Sequence, residues 1–220
     1  MRNINTNAVP KPTLENLLVC KQEVEELLEE YGSVLAPRII EYEVEKCEFP
    51  IEVLNEIRAI YAHLYRASVT SRPEDIGENI SKAKSHSKRA ILDCYKYLCV
   101  HYDDYYHQFF KKFGYINWSK SRLNDKIKQI DFQRQHAVEA LRLAKLREST
   151  SESARTKEDD YRNLYQKAYE EYLELVKMTY ELEKNIESSP KVVSRFPALA
   201  YTMVGVCGIV IGVILGLLFF

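Results

Sequence analysis

Two short runs of ionisable residues recur at helical spacing among apolar neighbours. In EIRAIYAHLYRA, Glu56, His63 and Arg66 stand seven and three positions apart. In KAKSHSKRAILDCYKY, His86, Arg89, Asp93 and Lys96 follow at intervals of three, four and three. Such intervals place each row on one face of a helix. Each row borders an apolar stripe: Val53, Ile57, Ile60 and Leu64 in the first, Ile80, Ala83, Ala90, Ile91 and Cys94 in the second. If the two helices are antiparallel neighbours joined near Pro73, the rows can face one another. Their charges then satisfy each other, or line a pocket whose cations take an anionic ligand such as a phosphate, or form a solvated face.

Three further groupings invite chemistry. Arg58-x4-His63 has the spacing of the RNA-cleaving HEPN motif, but Ala59 stands where those enzymes usually carry a polar residue. A separation of five also turns the two side chains to different faces of a regular helix. The stretch HYDDYYHQFFKKFGYINW, His101 to Trp118, is the aromatic centre of the chain. Tyr102, Tyr106, Phe109 and Phe113 have core spacing. The extra rings of Tyr105, Phe110, Tyr115 and Trp118, beside Lys111, Lys112 and Lys120, could instead stack the bases of a nucleotide or a short single strand. His101 and His107 flank Asp103 and Asp104, yet six positions on a straight helix keep both imidazoles from one metal ion. No P-loop, nucleophile elbow, dinucleotide fingerprint or zinc spacing is present, so the reading is of a non-enzyme without cofactor or metal.

The elements that must position these residues are helical. The 220-residue chain is 46% hydrophobic and 29% charged with a net charge of −1, which fits a globular protein and gives no global basic surface for nucleic acid. Only seven glycines and seven prolines occur, and Gly205, Gly208, Gly212 and Gly216 all lie near the C-terminal end. The five cysteines make no framework and read as free thiols in a reducing compartment. No signal peptide is expected in the polar first dozen residues. Apolar period and breakers predict a flexible arm over 1–12 and helices over about 13–31 (ended by Gly32), 37–45, 50–70, 73–113 (stopped by Gly114), 119–148 and 157–187. A polar turn, STSESART, occupies 149–156. The last helix carries a seam of Tyr161, Tyr165, Ala168, Tyr172, Leu175, Thr179, Leu182 and Ile186. Leu123, Ile127, Ile130, Ala137, Leu141 and Ala144 answer it on the helix before, so the two form an antiparallel hairpin or an intersubunit stalk.

From Phe196 to Phe220 no charge appears over about 25 positions, where about 20 suffice to cross a bilayer. Lys184, Lys191 and Arg195 precede this stretch, so the positive-inside rule leaves the N-terminal bulk in the cytoplasm, as in a single-pass tail-anchored protein, in a bacterial inner membrane. Gly208, Gly212 and Gly216 form one ridge of the span, with Gly205 a turn earlier near the same face. Close packing through small residues drives association in lipid, so the tail is expected to self-associate. The serine-rich turn breaks the heptads and excludes a membrane-fusion SNARE.

The whole expectation is an all-α protein: a helical bundle over 13–118, a long antiparallel helical hairpin over 119–189, and one transmembrane helix within 190–220. In outline this layout, with the rows Glu56/His63/Arg66 and His86/Arg89/Asp93/Lys96, resembles membrane effectors of bacterial anti-phage defence. The resemblance is to the Hailong-type channel, in which a nucleotidyltransferase makes short DNA oligomers that keep the channel shut. It implies a cytosolic domain that binds a nucleotide or oligonucleotide made by a partner enzyme, and an oligomer that conducts ions through the lipid. A non-catalytic membrane adaptor or tether and a membrane-tethered HEPN-like RNase are the alternatives.

Overall fold

The computed structural model describes residues 11–121, 123–151 and 158–188. All the regular structure there is helical: α1 Leu14–Leu18, α2 Lys21–Glu30, α3 Ala36–Lys46, α4 Ile51–Val69, α5 Pro73–Lys112, α6 Asn124–Ser151 and α7 Glu158–Ser188. A π-helical turn, Tyr31–Leu35, joins α2 to α3, and a 3₁₀ turn, Trp118–Lys120, precedes α6.

α5 is the axis of the bundle. Its 40 residues span about 60 Å. Pro73 occupies its first turn, where a missing N–H costs nothing, with Glu74 and Asp75 beside the positive end of the helix dipole and Lys111 and Lys112 at the negative end. α4 runs antiparallel along its N-terminal half, where Glu56 meets His86 and His63 meets Asn79. α6 runs antiparallel along its C-terminal half, where Asp103 meets Arg134 and Lys96 meets Glu148. α7 returns parallel to α5, so that Lys112 reaches Glu187.

The predicted hairpin is present. Along α7, Tyr165, Ala168, Tyr172, Leu175, Thr179, Leu182 and Ile186 are all buried. The side chain of Tyr161 lies outside the described set. On α6, Ile127, Ile130, Ala137 and Ala144 are buried, and Leu123 and Leu141 pack against them. Ala137, Ala144 and Ala168 have no exposed surface, and their small side chains leave room for Tyr165 and Tyr172. Thr179, wholly buried, satisfies its hydroxyl on the Leu175 carbonyl at 2.7 Å. One core cluster draws on α3, α4, α5, α6 and α7, and so on both sides of residue 118.

The first 50 residues depart from expectation. The helix expected over 13–31 breaks at Val19–Cys20, because α1 is tied to the end of α4. There the Thr13 N–H donates to the Ser68 carbonyl at 3.0 Å, and the Asn16 amide donates to the carbonyls of Ser68 and Thr70 at 2.9 and 2.7 Å. Gly32, expected to end a helix, lies inside a continuous one. The wide turn just before α3 accommodates Pro37, which lacks the N–H an α-helix would pair with Ser33 and crowds that carbonyl. α3 ends on Cys47 in the left-handed region at φ 55°, a C-terminal position usually given to glycine. Residues 149–151 of the expected polar turn remain helical, while 152–157 lie outside the described residues. So do most of the N-terminal arm and the whole of 189–220, including the expected span and Gly205, Gly208, Gly212 and Gly216. Among the described residues no helix is long and apolar enough to cross a membrane.

Candidate functional site

The two polar rows meet only at their centre. His86 Nδ1 lies 2.5 Å from Glu56 Oε2, and His63 Nδ1 lies 2.9 Å from Asn79 Oδ1. The two imidazoles stack with centroids 5.3 Å apart and planes 23° from parallel. Glu56 and His86 are half-buried, 21% and 19% exposed, so this seam is an internal polar joint between α4 and α5. Asn79 belongs to it and is absent from both predicted rows; its signal was the interval of seven to His86 on the same helix.

The other four row residues go elsewhere. Arg66 and Arg89 are exposed, and Arg89 Nε donates to the Ser85 carbonyl of its own helix at 3.3 Å. Lys96 turns to α6, donating to Glu148 at 2.7 Å and lying 5.2 Å from the ring centre of Tyr165, whose hydroxyl donates to the other oxygen of Glu148 at 2.6 Å. Burial pushes Asp93 up from its ordinary value, and Lys96 works against that shift. The seven residues therefore do not close one pocket. Arg58 and His63 are not joined either, since Arg58 is exposed while His63 is held against α5.

The Lys96–Glu148–Tyr165 joint has a pH signature. Burial raises Glu148, but hydrogen bonds from Lys96 and Tyr165 outweigh it and hold the carboxyl below its ordinary 4.5. A depressed folded value stabilises the fold above pH 4.5, and that contribution is lost as pH falls further. Glu148→Gln should therefore be less stable than the parent at pH 6. The two stability curves should converge near pH 3, read from urea melts at each pH. A gap of the same size at both ends would refute the assignment.

A half-open recess lies on the opposite flank of α5, against α2. Its volume is about 340 Å³, and Lys84, Lys88, Ser81, Ser85, Gly77 and Ile80 of α5 line it with Cys20 and Glu23. Lys84 Nζ is 2.6 Å from Glu26 Oε2, and Ser87 donates to Glu30 at 2.9 Å, so α2 is held to α5 by polar contacts on either side. Lys84 and Lys88 stand one helical turn apart beside the Ser81 and Ser85 hydroxyls, so with Lys84 drawn away from Glu26 they make a donor set for a phosphate, against the Glu23 carboxylate. None of these four donors belongs to the predicted rows; their signal is the run SKAKSHSK, which carries Lys84 and Lys88 on one side of the helix and His86 on the other.

The aromatic centre is spent on packing. Tyr102, Phe109 and Phe113 are buried, and Trp118 stacks on Phe109 at 5.9 Å. Its phenols find carboxylates on neighbouring helices: Tyr105 donates to Glu183 at 2.7 Å, Tyr106 to Asp131 at 2.8 Å, and Tyr102 to Glu41. Arg134 takes up Asp103 and reaches His107 at 3.1 Å. Among the described residues no group of three His, Cys, Asp or Glu is arranged to hold a metal ion. Comparison of the chain with known families, curated proteins and solved structures finds no match.

Proposed function

We propose that the protein is an oligomeric membrane effector whose helical bundle takes a nucleotide-like or oligonucleotide ligand and controls ion passage through a tail of associated spans. The observation that carries this reading is the charge-free sequence 196–220 with Gly208, Gly212 and Gly216 at intervals of four, separated from the end of α7 by the seven residues 189–195. Any change in the packing of α7 would reach that stretch through a short connector. The groove between α2 and α5 is the preferred ligand site, since Lys84, Lys88, Ser81 and Ser85 supply donors for an anion in a volume that suits a small ligand. The Glu56/His63/His86 seam, pairing its own members, serves as the joint that holds α4 while α2 responds. A ligand shifts such an equilibrium only by binding two packings unequally.

The test is ion flux from liposomes holding the full chain, with inorganic triphosphate and short oligodeoxynucleotides as probes. Flux should change with a probe in the parent and lose that response in Lys84→Glu/Lys88→Glu. It should vanish in Gly208→Leu/Gly212→Leu/Gly216→Leu. Absence of flux in the parent under every probe would sink the channel reading and favour a membrane adaptor.

A further inference from the structure

We infer that the turn joining α5 to α6 is a contact surface for an anionic bilayer. Residues 111–128, KKFGYINWSKSRLNDKIK, carry Lys111, Lys112, Lys120, Arg122, Lys126 and Lys128 against Asp125 alone. Six cations and one carboxylate give +5 in a chain whose net charge is −1. The fold sets the described part of this segment, 111–121 and 123–128, at one end of the bundle, the end where α7 finishes: Lys112 Nζ lies 2.6 Å from Glu187 Oε1, in the last turn before Ser188. The inference rests on the reading that 196–220 enters the bilayer, because the chain then leaves the bundle at this end.

Not every cation is available. Lys112 is bracketed by Glu183 and Glu187, and Lys128 lies 3.8 Å from Asp125. Lys111 and Lys126 are exposed beside them, and Lys128 retains 69% of its side-chain surface. Tyr115 projects from the turn at 57% exposure. An exposed tyrosine among lysines suits the headgroup layer, where a ring takes the apolar side and ammonium groups meet lipid phosphates. A single strand of nucleic acid would need several open ring faces. Here Phe113 is buried and Trp118 is packed against Phe109 and Phe110, which leaves Tyr115. The chemistry therefore favours lipid over a base-stacking partner.

Trp118 is the only tryptophan in the chain, so the turn carries its own probe. The full chain is incorporated into vesicles of phosphatidylcholine alone or with phosphatidylserine, each containing a headgroup spin-labelled lipid, and floated on a gradient. The expected result is co-flotation with both, with Trp118 emission quenched more strongly in the phosphatidylserine vesicles. That excess should disappear at high ionic strength and in Lys111→Glu/Lys126→Glu/Lys128→Glu. These three side chains are solvent-facing, and circular dichroism of the variant checks the fold. Co-flotation with equal quenching in both vesicles would overturn the inference while leaving the anchor intact. So would a Trp118 response to single-stranded DNA that the reversal abolishes without any response to phosphatidylserine. Flotation with phosphatidylserine vesicles alone, lost at high ionic strength, would remove the span reading and still support the basic turn. Loss of flotation with both vesicle types would overturn both readings.

Discussion

Glu41→Ala should lower the unfolding free energy by about 3–5 kcal/mol, a larger effect than expected for any other single polar change in the bundle. Glu41 sits on α3 and accepts hydrogen bonds from Tyr169 of α7 at 2.8 and 2.9 Å and from Tyr102 of α5, while pairing with Arg38 of its own helix. Arg38 also donates to the Tyr169 hydroxyl and lies 4.8 Å from the centre of its ring. Tyr102 and Tyr169 are 3% and 6% exposed, so removing the carboxylate leaves two phenols without their acceptor and a half-buried guanidinium without its counter-ion. At this chain length the loss corresponds to a fall in melting temperature of about 10 °C. Glu41→Gln retains an acceptor and should cost about half as much. Thermal melts of the three proteins decide it. A change under about 1 kcal/mol for Glu41→Ala would mean that the three-helix node contributes little.

Alkali should unfold the protein cooperatively just above the ordinary phenol range. Burial is the first cause that raises Tyr95, Tyr102, Tyr165, Tyr169 and Tyr172, and Glu41 and Glu148 add to it for three of them. Burial likewise pushes the Cys94 and Cys99 thiols up to about 12. A folded value above the unfolded one leaves the contribution to stability intact below about pH 10. It is lost as pH rises beyond that, because the unfolded chain then sheds protons the folded chain keeps. Each such phenol tilts stability by on the order of 1 kcal/mol per pH unit, and five together match a whole domain's stability within a unit or two. A step in phenolate absorbance from these buried rings should therefore coincide with the loss of far-UV circular dichroism between about pH 10.5 and 11.5. Tyr172→Phe should move that midpoint upward. Helix loss unaccompanied by a step in phenolate absorbance would contradict the assignment.

The same tyrosines mark how far the sequence could be read. The seam from Tyr165 to Ile186 was legible because a single apolar stripe at spacings of three and four has one way to bury itself. The ends of α4, α5 and α7 were legible from Pro50, Pro73, Gly114 and the Ser188–Pro190 step. The break at Val19–Cys20 was not, since it depends on hydrogen bonds from Thr13 and Asn16 to an element more than 50 positions away. Gly32 and Pro37 misled for a related reason: a wider helical turn absorbs both, and no local propensity announces it. At the candidate site, spacing set Glu56, His63 and His86 where they meet but did not give the surroundings of Arg66, Arg89, Asp93 and Lys96. His86 found Glu56 as the antiparallel arrangement required, whereas Lys96 lies far enough along α5 to have passed α4 and met α6 instead. The α2–α5 groove was hidden because its donors alternate with the row that drew attention.

The unbroken run of α5 sets a distance. Lys88, the last residue lining the groove, and Lys112, at the basic turn, are 24 positions apart on one helix, which is about 36 Å at 1.5 Å per residue. If the basic turn rests on a bilayer with α5 along the bilayer normal, the groove stands that far above the lipid, several times the screening length of physiological salt. An anion arriving there would be spared the repulsion of the charged headgroups. The bundle would then act as a mast, holding its receptor clear of the surface that its other end grips.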